Sequence, residues 1–387
     1  MSMHSQTLAA PNPCSEWRHQ VRVVVDEHVA PGADACDRDA RISPHALDVA
    51  AREGWWGAAL PVDVGGTGRD WVDVSALHEE VGRGCSSLRS LLTVHTMVGH
   101  AIDRWGTDAQ REQWLAQLAT GATLGAFCLT EPEAGSDAAA LSARAERVRH
   151  GYRLSATKCW ITGGLTAGLL LIFARSPSGI CAFLVPAESV GVTRTPVAGL
   201  LGTRASMLAE VVVDACEVPD TALLGPDGFA LATVITGTLE VGRLSVASGS
   251  VGIVRACLQA ASGHAARRSC AGGTLKDQQL VRRMLTDMVV DARAGRLLCE
   301  RAARLKDTGD PETVMATWIA KYHAARAAAR AAGDAVQIYG ARGCVTGASV
   351  DRYYRDAKVM EIIEGSTELH QVTIADDADR QMSGCAP

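Results

Sequence analysis

The chain has no Gly-x-Gly-x-x-Gly run, no Gly-x-x-x-x-Gly-Lys-[Ser/Thr] run and no Cys-x-x-Cys pair. These absences exclude a Rossmann dinucleotide domain, a P-loop and a zinc ribbon, so any nucleotide cofactor is held another way and no metal is expected. Neither sign of charge dominates: 38 Lys and Arg against 43 Asp and Glu leave a net −5. Such a balance creates no strong field for nucleic acid or an anionic membrane. Aromatics are only 4% of residues, so the core is expected to be aliphatic and helical. No stretch of 18 consecutive apolar residues occurs, and Met1–Pro13 lacks a basic stretch followed by an apolar one, so a soluble, cytoplasmic protein is expected. Twelve cysteines are scattered from Cys14 to Cys385. A chain long enough to stabilise its own core needs no disulfide framework, which fits a reducing compartment.

The texture changes twice along the chain. Residues 1–124 read as an α-helical domain: Gln20–Val29, Val72–Val81 and Leu88–Ile102 have apolar positions at helical spacing, interrupted by the glycine-rich turn at Pro61–Gly68. Residues 125–227 carry short apolar runs bounded by Gly, Pro, Ser and Asp, namely Ala126–Thr130, Tyr152–Leu154, Leu169–Ala174, Ile180–Val185 and Glu210–Val213. That is the pattern of a small β-sandwich or barrel. Residues 228–387 return to helices, with three long stretches and a shorter one after Ser366, which predict a four-helix bundle. The fold class is therefore α+β in three closely packed parts.

Two segments combine chemistry with turn residues. Thr130-Glu131-Pro132-Glu133-Ala134-Gly135-Ser136-Asp137 leaves a predicted strand, and alone it is equally well a simple turn. Lys158-Cys159-Trp160-Ile161-Thr162-Gly163-Gly164 ends another strand and puts an indole beside a hydroxyl, able to cover a planar ring and bond its edge. A lone Trp is more often a core residue. Together the two segments resemble the flavin-binding strands of the acyl-CoA dehydrogenase family. The resemblance continues through Leu200–Ser206, Val218-Pro219 and Leu224-Gly225 to Arg355-Asp356-Ala357 and Ile363-Glu364-Gly365-Ser366, and covers essentially the whole chain.

The resemblance implies FAD and an acyl thioester substrate carried on CoA or on an acyl carrier protein (ACP). It also implies an electron acceptor for reduced FAD and assembly as a homodimer or homotetramer. Phe127, Leu129, Thr130, Trp160 and Thr162 are expected around the isoalloxazine, and Ser136 and Gly365 beside the substrate. Arg268 is expected at the FAD pyrophosphate of a neighbouring subunit, with Gln337, Gly340, Ser366 and Glu368 completing the cofactor contacts. The family's base occupies either the position of Glu364 or the one immediately before Arg243; the latter is Gly242 here, so Glu364 is the expected catalytic residue. Without the resemblance Glu364 reads as a helix N-terminal carboxylate.

Cys85–Ser90, Val251–Cys257 and Met360–Ser366 resemble a narrower group, the acyl-ACP dehydrogenases that make hydroxymalonyl or methoxymalonyl extender units for polyketide antibiotics. There the substrate would be a short oxygenated acyl unit or a carrier-bound aldehyde hydrate. A local basic patch for the carrier would draw on arginines such as Arg255, Arg267, Arg282 and Arg283, which otherwise read as solvated faces or internal ion pairs. Three positions depart from the family pattern: Ala271, Ala341 and Ile363. The alternatives are a flavin-dependent oxidase of acyl-CoA or nitroalkane type on the same scaffold, and a flavin-free helical scaffold.

Overall fold

The protein is described by a computed structural model covering residues 13–384; the leader reading of residues 1–12 lies outside it. Six helices come first: α1 (Pro13–Val24), α2 (Ala33–Arg38), α3 (Pro44–Arg52), α4 (Trp71–Gly84), α5 (Ser86–Trp105) and α6 (Asp108–Thr120). Their starts are set by capping side chains. Ser43 Oγ accepts from Ala46 N–H at 3.2 Å, Asp70 Oδ1 from Asp73 N–H at 2.7 Å, and Thr107 and Gln110 cap each other's backbone.

Eight strands follow in one hydrogen-bonded sheet: β1 (Gly125–Cys128), β2 (Arg144–Val148), β3 (Gly151–Ile161), β4 (Leu169–Ser176), β5 (Gly179–Pro186), β6 (Val192–Pro196), β7 (Ala209–Pro219) and β8 (Leu223–Leu224). Their order is β6-β7-β3-β2-β4-β5-β8, with β1 added parallel to β4. Strands β4 and β5 are buried at nearly every position, which is why they stand out in the sequence as apolar runs. Strands β2 and β6 are largely polar and exposed, and escaped the sequence reading for that reason.

The C-terminal part contains α7 (Thr236–Arg267), α8 (Gln279–Thr308), α9 (Thr313–Tyr339), α10 (Ser349–Ile362) and α11 (Thr367–Met382). The stretch Leu231–Arg267 has an 18-residue window of mean hydropathy 1.3, enough by length and composition to span a bilayer. Here it is the central rod, packed against α4, α5, α8, α9 and α10. The sequence reading expected one bundle helix after Ser366. Instead the chain forms α10 as well, packed on both α7 and α9, and breaks before α11. The break coincides with Glu364 at φ +56 and Gly365 at φ +95, left-handed conformations that a helix cannot continue.

A buried ion cluster joins the first and last domains. Glu79 on α4 receives Arg18 Nη1 from α1 at 2.5 Å, Arg255 Nη1 from α7 at 2.7 Å and Arg296 Nε from α8 at 3.1 Å. Arg255 also binds Glu80. Arg255 is therefore an internal ion-pair partner and is withdrawn as part of a carrier-facing patch. Burial alone would raise the Glu79 carboxyl, but the Arg296 hydrogen bond and the surrounding guanidinium charges outweigh it and hold its pKa down to about 2.

Removing this carboxylate takes a shared anion from three guanidinium groups, of which Arg255 keeps Glu80 and Arg18 keeps Glu300 at 3.7 Å. Glu79→Ala should cost about 3–5 kcal/mol of unfolding free energy, the scale for breaking a buried ion pair from one side. Because the folded pKa lies below the ordinary value of 4.5, the stabilisation is complete above that pH and fades as pH falls from there toward about 2. Urea unfolding of parent and variant at pH 7 and pH 3 measures both effects. A variant gap at pH 3 as large as at pH 7 would contradict the assignment.

Candidate active site

Glu364 lies in the four-residue turn between α10 and α11. A non-glycine residue at φ +56 costs roughly 1–2 kcal/mol, so the turn needs outside support. Two cations provide it. Arg243 on α7 donates from Nε to the Glu364 carbonyl at 3.2 Å, and Lys321 on α9 donates from Nζ to the Gly365 carbonyl at 2.6 Å. Ser366 Oγ accepts from Leu369 N–H at 3.3 Å and so starts α11. Behind the turn, the Arg243 guanidinium stacks 4.0 Å from the Trp318 ring, and Trp318 packs on His370 at 4.5 Å.

This backbone aims the carboxylate inward. Glu364 as a residue keeps some exposure, yet its Oε2 is buried and has no hydrogen-bond partner among the described residues. It faces α7 at Gly242, where an added Cβ would stand 2.3 Å from Oε2. The missing side chain at 242 is thus the space in which the Glu364 carboxylate sits. Burial raises the Glu364 pKa to about 7, against the lowering influence of Arg243, Lys321 and Arg89. Burial also lowers Lys321 to about 8, opposed chiefly by Glu364. The group is poised to exchange a proton near neutral pH.

The two sequence motifs meet at the edge of the sheet. Cys159 N–H donates to the Thr130 carbonyl at 3.0 Å, and Lys158 Nζ bonds the Leu129 carbonyl at 3.1 Å and Glu131 Oε1 at 2.6 Å. Glu131 in turn accepts from Ser142 N–H and Oγ and from Ala143 N–H. Lys158 and Glu131, buried in both motifs, are the residues that hold them together. Phe127 and Leu129 are buried, Thr130 and Thr162 half-buried. Trp160 is 59% exposed at φ +59, beside a register shift between Lys158 and Ile161. Trp160 is not the core aromatic that a lone Trp more often is: the bulge turns its indole out of the sheet, leaving a flat face available to a planar ring. An exposed indole beside two hydroxyls suits the isoalloxazine of FAD.

The loop Leu200–Ser206 ties this edge to α10. Gly163 N–H donates to the Ser206 carbonyl at 2.9 Å, Ala205 N–H to Ser87 Oγ on α5 at 3.2 Å, and Thr203 N–H to Asp356 Oδ1 on α10 at 2.6 Å. Arg355, beside it, binds Asp37 at 2.6 Å and the Leu201 carbonyl at 3.0 Å. The Arg-Asp-Ala signature is therefore a strut between the strand edge and the helix that leads into the Glu364 turn.

Other expected positions lie elsewhere. Ser136 is exposed in the loop after β1. Gly365 adjoins Glu364 in the turn, and Glu368 is exposed in the first turn of α11. Arg268, Gln337 and Gly340 are exposed at the C-terminal ends of α7 and α9, where His264 and Tyr339 stack at 4.2 Å. Arg268 is 26 residues along α7 from Gly242, about 39 Å at helical rise, so a single chain does not bring it to Glu364. The departure at Ala271 forms a hairpin turn with Gly272, at φ +45 and +80. Sequence reasoning missed Lys321, Arg89 and Trp318. Lys321 could have been found as the single lysine of α9, and Arg89 as the one Asp, Glu, Lys or Arg between Arg83 and Asp103.

Residues 14–122, 126–216 and 228–378 match the family models for the acyl-CoA dehydrogenase N-terminal, middle and C-terminal domains. The mitochondrial short-chain specific acyl-CoA dehydrogenase of Rattus norvegicus is 33% identical over 376 residues, covering 96% of this chain and 91% of that protein. A glutaryl-CoA dehydrogenase from Mycobacterium smegmatis in complex with FADH2 superposes with a TM-score of 0.90 at 27% identity, over 98% of this chain and 96% of the other. FkbI, an enzyme for biosynthesis of the methoxymalonyl extender unit of the polyketide immunosuppressant Fk520, superposes with a TM-score of 0.85 at 32% identity, over 93% and 98%. The chain belongs to the acyl-CoA dehydrogenase family and is an FAD-dependent oxidoreductase acting on acyl thioesters.

Proposed function

We propose that the protein dehydrogenates a short acyl thioester, with Glu364 as the base, and that it serves polyketide precursor synthesis on a carrier protein in the cytoplasm. The observation that carries the base assignment is the buried, unpartnered Oε2 of Glu364 with a pKa near 7. The carrier and the pathway rest on the segments Cys85–Ser90, Val251–Cys257 and Met360–Ser366 and on the likeness to FkbI.

Glu364 takes a proton from Cα of the thioester. Desolvation strengthens it as a base, while Arg243, Lys321 and Arg89 oppose that rise and leave the carboxyl near neutrality. FAD, when bound, supplies the acceptor for the hydride leaving Cβ, and a separate electron acceptor reoxidises it. Phe127, Leu129, Thr130, Trp160 and Thr162 would hold its ring. Arg268, Gln337 and Gly340, remote from Glu364 in one chain, would reach the cofactor of a neighbouring subunit in a homodimer or homotetramer. Ser366 and Glu368 would border it, with the Ser366 hydroxyl also capping α11.

Glu364→Gln preserves volume but cannot accept the proton. Flavin-loaded variant mixed anaerobically with substrate should bleach about 10²–10⁴-fold more slowly than the parent, the scale of general-base catalysis. A loss below about tenfold would remove Glu364 from the role.

In the parent, kcat/KM should rise with pH through an apparent pKa of about 7, because only the ionised carboxylate takes the proton. A profile flat from pH 6 to 8 would contradict this.

Gly242→Ala puts a methyl group into the carboxylate's space. Flavin should stay bound while the reduction rate falls by about 10²-fold, as expected for a base displaced by roughly 1 Å. Stopped-flow absorbance at the flavin band reads both.

A further inference from the structure

The turn that carries Glu364 is held at three successive carbonyls by side chains from three helices. Arg243 Nε on α7 reaches the Glu364 carbonyl, and Lys321 Nζ on α9 reaches the Gly365 carbonyl. The third, the Ser366 carbonyl, lies 2.9 Å from His370 Nδ1 on α11. A carbonyl oxygen only accepts, so Nδ1 carries the ring proton and Nε2 keeps the lone pair. Burial, followed by the charge of Lys321, lowers the His370 pKa to about 4, so the imidazole is uncharged at neutral pH. Two of the three donors are cations, and the third is neutral.

Packing alone does not account for a histidine at this place. His370 is the one buried residue of α11, with its ring 4.5 Å from that of Trp318. Its Nε2 is buried and has no partner among the described residues, an unmet acceptor that a phenylalanine in the same space would not have. The needs of the Ser366 carbonyl do not account for it either, because that oxygen already accepts the His370 backbone N–H at 3.1 Å. A second donor on a bonded oxygen restrains the direction of the peptide. Gly365 makes room for the ring, since an added Cβ there would stand 3.2 Å from His370 Cε1. On its other side Trp318 carries the Arg243 guanidinium at 4.0 Å. His370 therefore meets the turn twice, directly at Ser366 and, through Trp318 and Arg243, at the Glu364 carbonyl.

From this arrangement we infer that His370 is a positioning residue of the reaction: its Nδ1–H fixes the last carbonyl of the turn and its ring backs Trp318, so that the Glu364 carboxylate stays aimed at α7. The inference rests on the reading of Glu364 as the base and adds a residue that acts through the turn. Gly365, at φ +95, has the freedom of a residue without Cβ, so the peptide that follows it needs an outside restraint. A lysine or arginine in place of His370 could donate as well. It would add a further positive charge to those of Arg243, Lys321 and Arg89 and hold the Glu364 carboxyl below neutrality.

The test uses flavin-replete full-length protein with propionyl, butyryl and valeryl thioesters, each on CoA and on a phosphopantetheinylated carrier protein. Anaerobic flavin reduction by the fastest of them gives a limiting rate and an apparent Kd for the parent, His370→Gln, His370→Phe, His370→Leu and Glu364→Gln. Glutamine can return the donor, as Gln117 Nε2 does to the Gln113 carbonyl four residues back at 2.8 Å. His370→Phe and His370→Leu should lose about tenfold or more in limiting rate, as expected for a displaced base, with Kd within about threefold of the parent. His370→Gln should stay within about threefold of the parent in both quantities. Lower thermal stability or flavin content with an unchanged rate, an equal loss of rate in all three His370 variants, or a loss confined to Kd overturns the inference. If Glu364→Gln is slow in the same experiment, the reading of Glu364 as the base stands without it. Glu364→Gln as fast as the parent, or a parent flavin that no thioester reduces, overturns that reading and the inference with it. Should His370→Phe fail to fold, the contrast between His370→Leu and His370→Gln decides.

Discussion

A carboxylate with one oxygen buried against the backbone of a helix is the constraint that the rest of this structure serves. Glu364 can face α7 only because its backbone takes a left-handed conformation and because position 242 has no side chain. The left-handed turn is held by Arg243 and Lys321 through two carbonyls, and those cations in turn need walls: Trp318 for the first, the buried interior of α9 for the second. The same cations oppose the rise in the carboxyl's pKa that burial causes, so the group settles near neutrality. Positioning and proton affinity come from one set of contacts.

The domains are joined by two different kinds of linkage. Glu79 gathers arginines from α1, α7 and α8, fixing the N-terminal helices to the bundle with buried charge. The sheet is joined by a loop, where Thr203, Ala205 and Ser206 offer backbone groups to α10, α5 and the end of β3. Trp160 and Glu364, on separate domains, are thereby referenced to the same short segment. Exposed indole and buried carboxylate are thus positioned together without sharing a secondary-structure element.

Much of this was legible in the sequence. The apolar runs of β4 and β5 announce a sheet because both faces are covered, and the long helices follow from spacing. The motifs around Thr130, Trp160 and Glu364 carry the family resemblance and with it the cofactor and the expected base. Sequence could not show that Trp160 turns outward, since that depends on a register shift with β7. Nor could it show that Arg255 is consumed by Glu79 and Glu80, a pairing between residues about 175 positions apart. Polar strands such as β6 lack the periodic contrast that identifies an element.

The contact between Gly242 and Glu364 also limits the order in which a carboxylate could move from the turn to the helix. Two carboxylates cannot share that space, so a change from Gly to Glu on the helix while the turn still carries Glu364 would crowd two like charges into a site built for one. Loss of the turn carboxylate first leaves a sterically open position into which a helix side chain can grow. The path between the two arrangements is therefore directional, a case of epistasis imposed by a single missing Cβ.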